Sequence, residues 1–256
     1  MLYTILICLL AGLGAGLGTG FAGMSAAAVI SPMLITFLHM PAYTAVGIAL
    51  ASDVLASAAS AYTYGKNHNL DIRNGFIMMV TVLLFTMVGS WVSSKVPNST
   101  MGGFSTVMTF LLGIKFIVRP VMTTKEAMGA VSAGKRAVQS ILCGMMVGFI
   151  CGFVGAGGGM MMLLVLTSVL GYELKTAVGT SVFIMAFTAL TGAVSHFALG
   201  GMPDPAILAM CMLFTLVFAQ IGAKIANHSS PATLNRVVGV ILVILGGAIF
   251  AVNLLS

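Results

Sequence analysis

The sequence predicts an all-α polytopic membrane protein made of two inverted-topology repeats, and three observations predict it. Of 256 residues, 59% are hydrophobic and only 6% are charged, where soluble domains carry roughly a quarter charged. A folded domain of this size still exposes roughly a quarter to a third of its chain surface, and eleven Lys and Arg with five Asp and Glu cannot cover that in water. The apolar runs are also long and continuous, whereas strands of a membrane barrel alternate apolar and polar over about ten residues. Lastly, the second half of the chain repeats the first. A soluble enzyme, a nucleic-acid module and a disordered chain are all excluded.

The repeat is read at a constant offset of 132 residues. Gly16 falls on Gly148, Gly20-Phe21 on Gly152-Phe153, and Gly23 on Gly155. Thr44-Ala45-Val46-Gly47 then falls on Thr176-Ala177-Val178-Gly179 without a gap, and one further residue of shift aligns Gly89 with Gly222. Repeat 1 covers residues 1–119, repeat 2 covers 137–256, and a polar, basic linker (120–136) joins them.

Each repeat opens with a glycine-interrupted apolar stretch, 4–38 and 138–170. The first would be about 52 Å long as one helix, far beyond a hydrocarbon core of about 30 Å. It is expected to break at Gly18–Gly23. The pieces left after the two breaks, 24–38 and 158–170, are short, so each pair is either two crossings or a re-entrant hairpin. Three apolar segments follow in each half: 43–64, 75–95 and 101–118, then 175–199, 204–226 and 234–255.

Loop charge sets the parity. If each broken stretch counts as an even number of crossings, the connections 65–75, 115–137, 171–176 and 224–236 share one side. They carry ten of the eleven Lys and Arg residues, and only Lys95 lies opposite. Four crossings per half would split them seven to four. The positive-inside rule selects the first arrangement, with five or three crossings per half. It makes the linker cytoplasmic, puts both termini outside in a plasma membrane, and inverts the two repeats. Inverted repeats with broken helices near the midplane are the architecture of many secondary transporters. The net charge of +6 is therefore a loop bias, not a nucleic-acid footprint. The four cysteines lie in apolar segments without CxxC spacing and read as packing residues. No basic residue precedes the first apolar run, so no signal peptide is expected.

Three motifs carry a family resemblance. They are Gly152-Phe153-Val154-Gly155-Ala156-Gly157-Gly158-Gly159, then Ala177-Val178-Gly179-Thr180-Ser181, then His196 ahead of Gly200-Gly201. Together, and over nearly the whole chain, the sequence resembles the TauE/SafE sulfite exporter family, also called the toluene sulfonate uptake permease family. The resemblance implies a membrane carrier of small, often sulfur-containing anions such as sulfite or organosulfonates. Repeat 1 departs from the pattern: Met24-Ser25-Ala26-Ala27 stands where repeat 2 has Ala156–Gly159, and Ile48-Ala49 stands where it has Thr180-Ser181. The site is accordingly expected to be asymmetric.

The glycine break has chemistry of its own. A helix that restarts after Gly155–Gly159 presents free backbone N–H groups and the positive end of its dipole. Those groups suit an anionic oxygen without a formal cation in hydrocarbon. The expected substrate-binding set is Gly157, Gly158 and Gly159 with the Thr180 and Ser181 hydroxyls, and Gly23 and Ser25 at the opposite break. The bland alternative is that glycine only lets helices pack, and that reading is preferred for Gly12, Gly16, Gly20, Gly144, Gly148 and Gly152. No Lys-Ser/Thr follows the glycines, so a phosphate loop is not supported.

Asp53 lies in the middle of segment 43–64, where a charge costs about 2.5–3.5 kcal/mol on insertion scales. It is either a proton carrier, a recognition group for a cationic centre on the substrate, or a carboxyl hydrogen-bonded to a neighbouring helix. His196 is either a second coupling group or an interfacial cap. Gln139 and Gln220 are expected to join helices, and Tyr62 and Tyr64 to anchor the cytoplasmic interface. The expected function is secondary transport of a small anion by alternating access, with possible proton coupling through Asp53 and His196. A passive anion channel and a carrier of a small zwitterion or cation are the alternatives. Neither an enzyme nor a metal or cofactor site is expected. The partners are the solute and the lipid bilayer, with a homodimer allowed and nucleic acid excluded.

Overall fold

The computed structural model of the protein describes residues 2–93, 111, 114–129, 132–154 and 158–255, and all regular structure among them is helical. The helices are α1 (Leu2–Ala22), α2 (Ala27–Leu38), α3 (Ala42–Lys66), α4 (Ile72–Ser93), the short α5 (Lys125–Gly129), α6 (Ala133–Val154), α7 (Gly158–Ser168), α8 (Leu174–Gly200), α9 (Pro205–His228) and α10 (Pro231–Leu255). Each apolar segment read from the sequence reappears with its ends within five residues, except 101–118, which lies mostly outside the described residues. The linker is less irregular than expected, because it holds α5 and the start of α6.

The helix boundaries follow from local chemistry. Gly23 has φ +59°, a conformation open to glycine, and its N–H returns to Thr19 O at 3.0 Å, which closes α1 with a left-handed cap. His39 closes α2 at φ 49°, and Pro41 stands just ahead of α3. Asp204 begins α9 by accepting the N–H groups of Ala206 (2.8 Å) and Ile207 (3.2 Å), with Pro205 at the first helical position. Ser230 accepts the Thr233 N–H at 3.2 Å and opens α10 in the same manner.

Among the described residues five helices are long and apolar enough to cross a membrane, within α1, α3, α4, α8 and α9. By contrast α2, with 12 residues, and α7, with 11, are about 18 and 16 Å long. Both are shorter than a ~30 Å core. The burial pattern is that of a protein in lipid. Leu2, Leu6, Leu10 and Leu13 point outward from α1, whereas Thr19, Ser52, Asp53, Ser57, Ser60, Thr180 and Ser181 are buried. This is a multi-pass membrane protein.

Hydrogen bonds gather four connections at one end of the bundle. Lys125 Nζ donates to His68 O (3.1 Å), Asn69 Nδ2 to Asn227 Oδ1 (2.6 Å), Lys175 Nζ to Asn227 O (2.8 Å), and Tyr172 Oη to Asp71 Oδ2 (2.8 Å). Asn235 holds both the N–H and the carbonyl of Val121, as a strand partner would. These are the connections that carry the basic residues. At the opposite end Tyr3 Oη donates to Phe37 O (3.1 Å) and His196 sits on Tyr43. Desolvation raises the Tyr172 hydroxyl above its ordinary pKa, with the Asp71 carboxylate adding to the effect, so this phenol stays a donor.

The packing exchanges elements between the halves. α1 lies along α9, and α4 lies along α6. Small residues permit it: a Cβ on Gly16 would meet Thr215 O at 2.6 Å and Phe218 Cβ at 2.7 Å, and one on Gly144 or Gly148 would strike Thr81 or the Val82 backbone. Packing is thus the role of these outer glycines. Next to them α3 and α8 run antiparallel, since Gly47 faces Phe197, Gly192 faces Leu50, and Gly179 faces Tyr64. Gln220 Oε1 accepts from Thr63 Oγ1 at 3.0 Å and ties α9 to α3, the joining role expected of it. Tyr62 is exposed as an interfacial residue should be, but Tyr64 is fully buried, its hydroxyl donating to Gly20 O at 2.8 Å.

Gly16→Ala is expected to lower stability by about 1–3 kcal/mol through overpacking. Gly134→Ala, where nothing lies within 4 Å, is expected to leave it unchanged or slightly raised. Thermal melts of the two variants in one detergent compare them directly.

Candidate functional site

Two helical hairpins enter the bundle from opposite ends. α1 begins and α2 finishes at the end marked by Tyr3 and Phe37. α6 begins at the linker, and α7 runs back toward it, with Ser168 accepting from Lys115 Nζ at 2.8 Å. Their interruptions meet in the interior. A Cβ on Gly159 would lie 2.7 Å from Gly23 O and 2.8 Å from Ser25 N, with the Met185 sulfur also in the way. Only glycine fits there, and the reason is the approach of the other break. Ser181 spans the junction: its Oγ lies 3.0 Å from Gly23 O and 3.4 Å from Gly159 O.

Asp53 reaches this junction from α3 and is 1% exposed. Ser25 Oγ donates to its Oδ2 at 2.6 Å and Ser57 Oγ to its Oδ1 at 2.7 Å, and the backbone N–H of Ala26 is a third donor. The Ala26 N–H and the Ser25 hydroxyl stand at the start of α2, so the carboxylate caps that helix from outside its own chain segment. Asp71, Glu126, Glu173 and Asp204, the remaining carboxylates of the chain, all lie in connections or in the short α5.

The two breaks also differ at the position of Asp53. At the 132-residue offset Asp53 corresponds to Met185, whose sulfur lies 3.7 Å from Ser181 Oγ and against Gly159. One helix start therefore carries a tethered negative group, and its counterpart faces a neutral thioether.

The expected residues divide accordingly. Gly23, Ser25, Asp53, Gly159 and Ser181 come together, and Gly158 opens α7 beside them. Gly157 lies outside the described residues. Thr180 does not join: its hydroxyl accepts the Asp71 N–H at 3.2 Å, because adjacent helical residues point about 100° apart and Ser181 takes the inward direction. Nor does His196 join. Its ring stacks on Tyr43 with centroids 4.2 Å apart and its Nδ1 lies 3.1 Å from Tyr43 O, which is an end cap of the α3–α8 pair. Ser57 and Met185 belong to the site without having been singled out from sequence. Ser57 was within reach of that reasoning, since it lies one turn beyond Asp53 on the same helix face.

Asp53 and Ser181 are both buried at this junction. A small hollow lined by Tyr43, Gly47, His196 and Phe197 is separate from it.

The family model described as sulfite exporter TauE/SafE matches residues 8–249. The chain belongs to the TauE/SafE family. Among similar proteins are two from Bacillus subtilis. The probable membrane transporter protein YunE is 27% identical, with 96% of each chain covered. The probable membrane transporter protein YdhB is 24% identical, over 83% of this chain and 86% of its own. The probable membrane transporter protein MJ0441 of Methanocaldococcus jannaschii is 24% identical, over 79% of this chain and 77% of its own. This TauE/SafE protein thus shares its fold-length match with proteins named as transporters.

Ser57→Ala is expected to lower stability by about 1.5–3 kcal/mol, because it strips a hydrogen bond from a buried ionisable group. Ser195→Ala, at an exposed hydroxyl bonded to Thr191 O, is expected to change it by less than about 0.5 kcal/mol. Chemical denaturation of both variants in detergent checks the difference.

Proposed function

We propose that this TauE/SafE protein is a secondary carrier of a small anion, sulfite or an organosulfonate or a related organic acid, working by alternating access between two inverted repeats. One observation carries the reading: two interrupted helix pairs enter from opposite ends and meet at Gly159, Gly23 and Ser25. Further support comes from α3 and α8, which are equivalent under the repeat and run antiparallel, as an inverted relationship requires. Loop charge then orients the molecule, with the linker cytoplasmic and both termini outside in the plasma membrane.

On this reading the start of α7 receives the anion through the Gly158 and Gly159 N–H groups, with the Ser181 hydroxyl beside them. The start of α2 already has its negative group in Asp53. Two anions so close in a low-dielectric interior repel strongly, so substrate entry requires Asp53 to be neutral, and a proton travels with the anion. Both Asp53 oxygens are engaged by serines, which favours an anionic substrate over a cation recognised by this carboxylate. On this reading the repeats rock apart to admit and release the solute at these buried groups.

The test is counterflow of labelled sulfite or sulfonate in proteoliposomes. A carrier shows saturable flux with trans-acceleration, and external acidification is expected to raise uptake. Asp53→Asn is expected to retain counterflow and lose the pH response, while Gly159→Ala loses both because its methyl has no room against Gly23 and Ser25. Non-saturable flux contradicts the carrier, and an unchanged pH response in Asp53→Asn contradicts proton coupling.

A further inference from the structure

The outer wall of the bundle holds a groove of about 730 Å³ between α3 and α8, within the ~300–1,000 Å³ range of small-molecule sites. One side is formed by Ala58 and Ala61, the other by Phe183, Phe187 and Leu190. Ala58, Phe187 and Leu190 are exposed, whereas Asp53 and Ser181 on the same two helices are buried. The groove therefore faces the lipid and is separate from the transport junction.

Small alanines opposite large rings make a concave, apolar channel along the helix. From Val54 to Lys66, both in its lining, the distance is about 18 Å at 1.5 Å per residue. That is close to one leaflet of a ~30 Å core. The end of the groove is different in kind. Lys66 borders it, and no hydrogen bond or ion pair within the described residues engages that amine. Tyr62, 72% exposed, stands one turn earlier, at the depth where tyrosines meet headgroups. Lys125 adds a second positive charge near the same turn through its bond to His68 O. The nearby Asp71 is turned inward, held by Asn74 Nδ2 at 2.8 Å and Tyr172 Oη at 2.8 Å.

We infer that this groove binds one anionic phospholipid from the leaflet on the linker side. An acyl chain lies along Ala58, Ala61, Phe183 and Phe187, and the headgroup phosphate is paired with Lys66. An apolar channel of one-leaflet length, ending at a cation with no partner among the described residues, matches the shape and charge of that molecule.

Native mass spectrometry of the full chain tests this with phosphatidylglycerol and phosphatidylcholine of identical acyl chains. Wild type is expected to retain phosphatidylglycerol about fivefold better, the effect of one basic residue near an anionic headgroup. Lys66→Gln is expected to abolish the preference and Lys66→Arg to keep it. Ala58→Phe with Ala61→Phe is expected to reduce retention of both lipids. Equal retention by wild type, an undiminished preference in Lys66→Gln, or a lipid-free dimer that dissociates only when the groove is filled by those phenylalanines would overturn the inference. Melting curves of each variant in the same detergent separate loss of binding from loss of fold.

Discussion

The contact between the two chain breaks is the constraint on which the rest of the structure depends. Gly159 lies so near Gly23 O and Ser25 N that a single methyl group has no place there. Two helices can be interrupted inside a bilayer only if the backbone groups they release find partners or face a ligand. Here the first break is satisfied largely within the protein, by the left-handed cap at Gly23 and by Asp53 and Ser25 at the start of α2. The second has Ser181 and a neutral sulfur beside it. The two breaks are thus unlike, with a carboxylate beside one and a thioether beside the other.

The surrounding helices serve that contact. Glycines at 12, 16, 20, 144 and 148 bring α1 onto α9 and α4 onto α6. This exchange of partners lets hairpins from opposite ends reach the same depth. Tyr64 extends the scaffold: its buried hydroxyl holds Gly20 O next to the first break. Polar groups are spent inside while leucines face outward, the distribution expected when lipid rather than water is the solvent.

Much of this was legible in the residues themselves. A 35-residue apolar stretch cannot be one crossing, so its break was dictated by length, and Gly23 marks the place with a positive φ. The repeat could be read because Thr176–Gly179 copies Thr44–Gly47, and loop charge grouped the connections that hydrogen bonds bring together. Side-chain direction was harder. Thr180 and Ser181 are equally good donors on paper, and only the packing of Gly179 against the Asn69 carbonyl decides which faces inward. The sequence left His196 between a coupling group and an interfacial cap, because its partner Tyr43 is 153 residues away. Met185 carried no chemical signal at all, since its meaning lies in being the counterpart of Asp53.

Binding of a small anion at the junction, as proposed, is measured most directly by ligand-dependent thermal stability. Binding to the folded state raises the melting temperature by mass action, with about 2.7 kcal/mol gained at a hundredfold excess over Kd. A panel of sulfite, sulfonates, carboxylates and amines on the detergent-purified protein is expected to show stabilisation by sulfur oxyanions. Stabilisation by amines with none by any anion would contradict the account.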